Sequence, residues 1–137
     1  MQPFYMPSAD SYEHEPDFIF DSNLSVPMSY TLDATPVAAD SNGDKIVRKG
    51  TMLSLNHYTG LLQPESANTY SAGYSIMGPL LNRVNLRFGD VREAILFSGI
   101  VLEDFLIDRG VFGTVPQDVK NRLGDRIQFV RKSTQAQ

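Results

Sequence analysis

The sequence contains no cysteine, which excludes disulfide staples and thiolate metal sites. Its longest uninterrupted apolar runs are about four residues, far short of what a membrane-spanning helix requires. The N-terminus lacks the positive start and long apolar stretch of a secretory signal. The two histidines, His14 and His57, stand alone, without the neighbouring ligand types that a metal site requires. No nucleophile elbow, phosphate-binding loop, dinucleotide fingerprint or zinc-protease motif occurs. Lys and Arg are absent from the first 44 residues, which carry eight acids (Asp10, Glu13, Glu15, Asp17, Asp21, Asp33, Asp40, Asp44). The remaining 93 residues hold the other 8 acids and all 12 bases, so a −8 segment precedes a +4 one within a chain of net charge −4. An acidic balance of this kind argues against a general nucleic-acid binder, whose affinity comes from clustered bases.

The length of 137 residues suits one domain with a tail. Residues 1–16 show no apolar period and carry Pro3, Pro7 and Pro16, so they read as a loose acidic leader. The leader still holds Phe4, Tyr5, Met6 and Tyr12, which suits a segment that orders on a partner. Phe18, Ile19 and Phe20 form an apolar knot between Asp17 and Asp21. Leu24, Val26, Met28, Tyr30 and Leu32 then alternate with smaller or polar residues, which predicts a strand with all five on one face. Pro27 cannot donate to a ladder, so this strand is expected at a sheet edge or paired on one side only. It is either the first strand of the domain or a strand lent to another chain by β-augmentation. We take residues 1–33 as an extended, partner-binding arm and residues 34–137 as a β-rich domain. Asn42-Gly43 is a strong turn pair.

In the domain, Thr51–Leu55 reads as a strand, Pro64–Ala72 as a polar loop, and 74–88 as one long extended stretch. Val84, Leu86 and Phe88 alternate within that stretch. Residues 93–102 are dense in β-branched and apolar types, and Gly99 predicts a bulge or bend there. A short helical turn is expected within 102–107. A helix is expected over 116–123, with Thr114 as its cap, Gly124 as its stop, and Val119 and Leu123 as its inner face. Ile127–Val130 reads as a closing strand. Glu103, Asp104 and Asp108 are close in sequence and suggest acid–base work or, more simply, the solvated face of a turn. Arg83, Arg87, Arg92, Arg122, Arg126 and Arg131 could serve acidic partners or lie exposed on strands and the helix. The class is mainly β with a minor helix.

The order of steps from Val47-Arg48-Lys49-Gly50-Thr51-Met52-Leu53 onward resembles the head decoration proteins of tailed bacteriophages, the lambda-type capsid-stabilising or cement proteins. The similarity continues through Thr59-Gly60, Gly78-Pro79-Leu80-Leu81, Val84, Phe88-Gly89-Asp90, Ala94–Ser98 and Gly99-Ile100-Val101. It ends with Val119, Leu123 and Ile127-Gln128-Phe129-Val130, and so covers roughly residues 45–130. Pro79 and the long acidic leader depart from the family pattern.

The resemblance implies a small β-tulip-like barrel with one or two short helices and an extended N-terminal arm. It implies a homotrimer on three-fold and quasi-three-fold points of the outer capsid surface, bound to major capsid protein and stabilising the shell against packaged DNA. It also implies a virion protein made in the host cytoplasm, with no catalysis, no cofactor, and no nucleic-acid, membrane or small-molecule partner. The capsid-binding residues expected in the arm are Phe18, Ile19, Phe20, Leu24, Val26, Met28, Tyr30 and Leu32. A single arm would bind weakly, and three arms on a trimer would gain by avidity. Alternative readings are a β-rich trimeric binding module or tail component, or a β-clip nucleotide hydrolase using Asp104 or Asp108.

Overall fold

The computed structural model describes residues 17–66 and 73–131. The leader with His14, residues 67–72 of the expected polar loop, and the polar end from 132 lie outside the described residues. Among the described residues, ten strands run in chain order as β1 (Val26–Leu32), β2 (Ile46–Val47), β3 (Met52–Asn56), β4 (Leu62–Pro64), β5 (Tyr74–Pro79), β6 (Val84–Asn85), β7 (Val91–Leu102), β8 (Ile107–Asp108), β9 (Val111–Phe112) and β10 (Ile127–Val130). One helix, α1 (Gln117–Leu123), precedes β10. Six strands form one sheet in the order β10-β7-β1-β4-β3-β5, and β2-β6 and β8-β9 are two-stranded ribbons. The fold is mainly β, as the alternation and β-branched runs predict.

The sheet nearly closes on itself as a barrel. Past the end of β5, Leu80 bridges Ile95 of β7, and the Leu81 N–H donates to the Ala94 carbonyl at 3.1 Å. Gly78 makes that approach possible: a Cβ there would sit 2.1 Å from the Leu96 carbonyl oxygen. Its φ of 153° is also one that L side chains rarely adopt.

Both faces of the sheet are covered. Met52, Ile76 and Leu96 belong to one apolar cluster, with Phe18, Leu106, Val119 and Leu123. Their sequence neighbours Leu53, Met77 and Ile95 belong to the other, with Leu32, Leu62, Val84 and Leu86. Successive strand residues point to opposite faces, so covering both faces explains why these strands read as apolar runs instead of alternating.

Several local expectations change. The stretch 74–88 is not one strand: β5 ends at Pro79 and β6 starts at Val84. Val84 and Leu86 are buried, whereas Phe88, within the turn over 86–89, is 95% exposed. Residues 91–102 form a single unbroken strand despite Gly99. The irregularity lies beside it, where Val26 pairs with Ser98 but Pro27 with Leu96, leaving Phe97 without an opposite residue. At Gly99 itself a Cβ would approach the Ser25 Cα to 3.4 Å.

Helix α1 buries Val119 and Leu123 and stops at Gly124. Pro116, not Thr114, occupies its N-cap, without a side-chain cap. The short helical turn is a 3-10 turn over Glu103–Phe105.

Candidate functional site

The division at residue 33 does not follow the fold. Residues 18–20 run antiparallel to the end of β7: Phe20 N–H donates to the Ile100 carbonyl (2.9 Å), Leu102 N–H to the Phe18 carbonyl (2.7 Å), and Ile19 bridges Val101. A 3-10 turn over Ser22–Leu24, capped by the Asp21 carboxylate on the Asn23 N–H, lets the chain bulge outward. β1 then resumes the same antiparallel course along 91–98. The strand considered above as one lent to another chain is thus paired within its own sheet.

The eight residues expected to bind a partner are therefore sorted. Phe18 and Leu32 are fully buried and belong to the two core clusters, so they cannot meet a partner. Ile19 and Tyr30 are half-buried and pack against the core. Phe20, Leu24, Val26 and Met28 remain 51%, 55%, 49% and 38% exposed. Leu32, Tyr30, Met28 and Val26 share one face of β1. The face that closes the core at Leu32 thus runs outward into the open at Met28 and Val26.

Pairing on the other side of β1 explains why. β4 meets β1 only at Leu32, opposite Leu62. Ala94 directs its carbonyl to Leu81, away from β1. Its antiparallel partner Ser29 must then also face away from β7, and so must Pro27 and Thr31. Pro27 has no N–H to offer there, and the Ser29 carbonyl accepts from Arg92 Nη2 at 3.2 Å. The edge is thus one-sided at Pro27, as the proline predicts, and is poorly equipped to take another strand. What it offers is apolar side-chain surface.

A second cluster was misread in the sequence. Glu103 and Asp108 are buried, not on a solvated face. Glu103 accepts from Val115 N–H (2.8 Å) and Lys120 Nζ (2.9 Å), tying the loop before α1, and α1 itself, to the end of β7. Glu65, also buried, accepts from Arg109 Nε (2.6 Å) and Nη2 (3.1 Å). This fork holds Arg109 at φ 52° in the turn joining β8 to β9, a conformation that costs a non-glycine residue about 1 kcal/mol. Asp108 lies beside this pair, its Oδ2 3.8 Å from Arg109 Nε, and neither of its carboxylate oxygens receives a hydrogen bond from a donor. Burial, then the Glu65 charge beside it, pushes its pKa up to about 7, with Arg109 opposing. A proton on Asp108 supplies a donor that two bare carboxylates lack. Asp104 is partly exposed, 3.3 Å from Arg131 Nη2. Nothing in the sequence spacing marks Glu65, which lies 43 residues before Asp108. Its burial is set by the β3–β4 pairing.

The raised Asp108 pKa has a definite consequence. The folded protein holds a proton that the unfolded chain releases above its ordinary value of 3.8. Stability should therefore fall as pH rises from about 4 through 7, by as much as about 1.4 kcal/mol per pH unit. Urea melts at a series of pH values should show that decline in the native chain and a flatter profile in Asp108→Asn. An unchanged slope in the variant would rule out Asp108 as its source.

The arginines mostly serve the fold. Arg87 donates to the Asn42 carbonyl and to Asp44, and these contacts, with the Asn85 hydrogen bond first, hold the Asp44 carboxyl below its usual range. Arg131 reaches Glu103 and Asp104. Arg126 stacks on Phe97 at 4.2 Å and donates to the carbonyls of Ile76, Met77 and Phe97. It thereby fastens β5 to β7 where the ladder is irregular. Arg126→Met keeps the stem but strands three carbonyls, and should destabilise the fold by about 2 kcal/mol, measured by urea midpoint. His57 Nε2 lies 2.7 Å from Ser75 Oγ. Among the described residues no group of His, Asp and Glu is arranged to hold a metal ion. Comparison with protein-family models, with curated proteins and with solved structures gives no match.

Proposed function

We propose that this chain is a structural interaction protein, a head decoration subunit that binds as a homotrimer to major capsid protein on the outer surface of a phage head. The observation that carries this reading is the open end of β1, where Val26 and Met28 stand exposed on the face that is core at Leu32, with Phe20 and Leu24 exposed in the segment just before it. An apolar strip continuous with the core is the kind of surface that a partner covers. The ordered likeness of residues 45–130 to the lambda-type cement proteins supplies the identity of that partner, and the β-tulip form of the barrel belongs to the same reading.

The buried carboxylates support a structural role over catalysis. Asp108 is buried beside the Arg109–Glu65 fork, and Glu103 is fully engaged by Val115, Lys120 and Arg131. Trimeric state and shell binding are tested together. Mass in solution by light scattering should be three times that of one chain, and the protein should cosediment with shells assembled from its cognate capsid protein. A monomer that fails to bind shells would refute the reading.

A further inference from the structure

A groove of about 430 Å³ runs between the 36–38 loop and the β8–β9 ribbon. Its walls are largely apolar, with Val37, Ile46, Val47, Ile107 and Phe112 among them, and Arg48 also lines it. Phe112 is 52% exposed and lies under the Arg48 guanidinium at 5.9 Å. The described chain begins at Asp17, whose carboxylate lies 3.8 Å from Lys49 Nζ, the residue that follows the groove-lining Arg48. Sixteen residues precede Asp17, containing Asp10, Glu13 and Glu15 and no Lys or Arg.

We propose that this groove is the docking site of the chain's own leader, residues 4–15. The acids nearest the exit, Glu13 and Glu15, meet the positive pair Arg48 and Lys49. Tyr12 and the Phe4-Tyr5-Met6 cluster supply apolar and aromatic surface for Phe112 and the aliphatic wall. The exit point puts the segment within immediate reach, since each extended residue adds about 3.3 Å. Tethering gives an effective concentration in roughly the millimolar range, so even a weak groove affinity keeps the segment docked. Pro3, Pro7 and Pro16 fix backbone angles and reduce the ordering cost. Apolar grooves with an exposed aromatic are a recurring receptor for proline-bearing segments. This inference concerns a surface separate from the β1 strip and does not rest on the capsid reading.

The native absence of cysteine makes the test direct. Ser8→Cys in the full chain carries a nitroxide, and amide broadening is read by NMR. The expected result is strong broadening at Val37, Ile46, Val47, Gly110 and Phe112, with little at Val26 and Met28. It should persist when spin-labelled chains carrying ¹⁵N are diluted with unlabelled chains. Reversing the charges, with Arg48→Glu and Lys49→Glu together, should reduce that broadening at least threefold. Absence of broadening in the groove, loss of it on dilution, or its persistence in the reversed variant would each overturn the proposal.

Discussion

Phe18→Ala should destabilise the protein by about 3–5 kcal/mol, the usual cost of emptying a buried phenylalanine site. Phe18 is fully buried among Met52, Leu96, Val101 and Leu106. Its ring also covers Gly50, where a Cβ would lie 3.6 Å from Phe18 Cδ2. The ring arrives there on a backbone pinned to β7 by the Phe18 carbonyl and the Phe20 N–H, so the site has little freedom to collapse. The control is Leu24→Ala, at a residue 55% exposed, which should shift stability by no more than about 0.5 kcal/mol. Urea unfolding separates the two. A Phe18→Ala cost below about 1 kcal/mol would mean that residues 18–20 are not part of the folded core. Removing residues 1–33 takes away both Phe18 and β1, so that truncation would lose the fold along with any binding surface. Surface substitutions are the sound way to test binding.

Met28→Asp should reduce shell binding at least tenfold, and Val26→Asp should do the same. Each native side chain, if covered on docking, contributes about 1.5–3 kcal/mol, and a loss of about 1.4 kcal/mol is tenfold in affinity. The aspartate adds the cost of burying a charge, so the effect should exceed that of alanine. Both positions are exposed, so the melting midpoint should stay close to that of the native chain. If the proposed trimer dissociates instead, the strip joins copies of this chain and the proposed shell contact lies elsewhere. Tyr30→Ala is a poorer probe, because Tyr30 packs against the core and its loss mixes stability with binding.

The β class, the helix over 117–123 and the closing strand were legible because they rest on local signals. These were Val119 and Leu123 four apart, Gly124 as a stop, and the Ile127–Val130 run. The edge character of β1 was legible from Pro27 alone. The pairing of 18–32 with β7 was not, because two short apolar segments separated by Ser22–Leu24 look the same whether they pair at home or abroad. The choice is made by β7, about 60 to 80 residues later in the sequence. Of the eight arm residues, Phe20, Leu24, Val26 and Met28 are exposed, while Phe18 and Leu32, of the same chemical type and period, are core. Sequence period gives the face of a strand, but how far its neighbours extend decides which part of that face is covered. β4 ends its pairing at Leu32, and that short overlap leaves Met28 and Val26 open.

The burial of the acid cluster was not legible for a related reason. Glu103, Asp104 and Asp108 lie within six residues, yet the first and last point inward to Lys120 and Glu65, on elements brought in from either side. Spacing alone carries no trace of those partners. Arg109 takes a positive φ in the turn before Gly110, and its fork to Glu65 supplies the contact that holds it there.

The most direct test is stoichiometric binding of the native chain to shells of its cognate major capsid protein, followed by sedimentation and quantification of bound copies. Under the proposed decoration role, binding should saturate at one trimer per three-fold and quasi-three-fold position, and decorated shells should resist heat better. Shells that leave the protein in the supernatant at saturating concentration would contradict it.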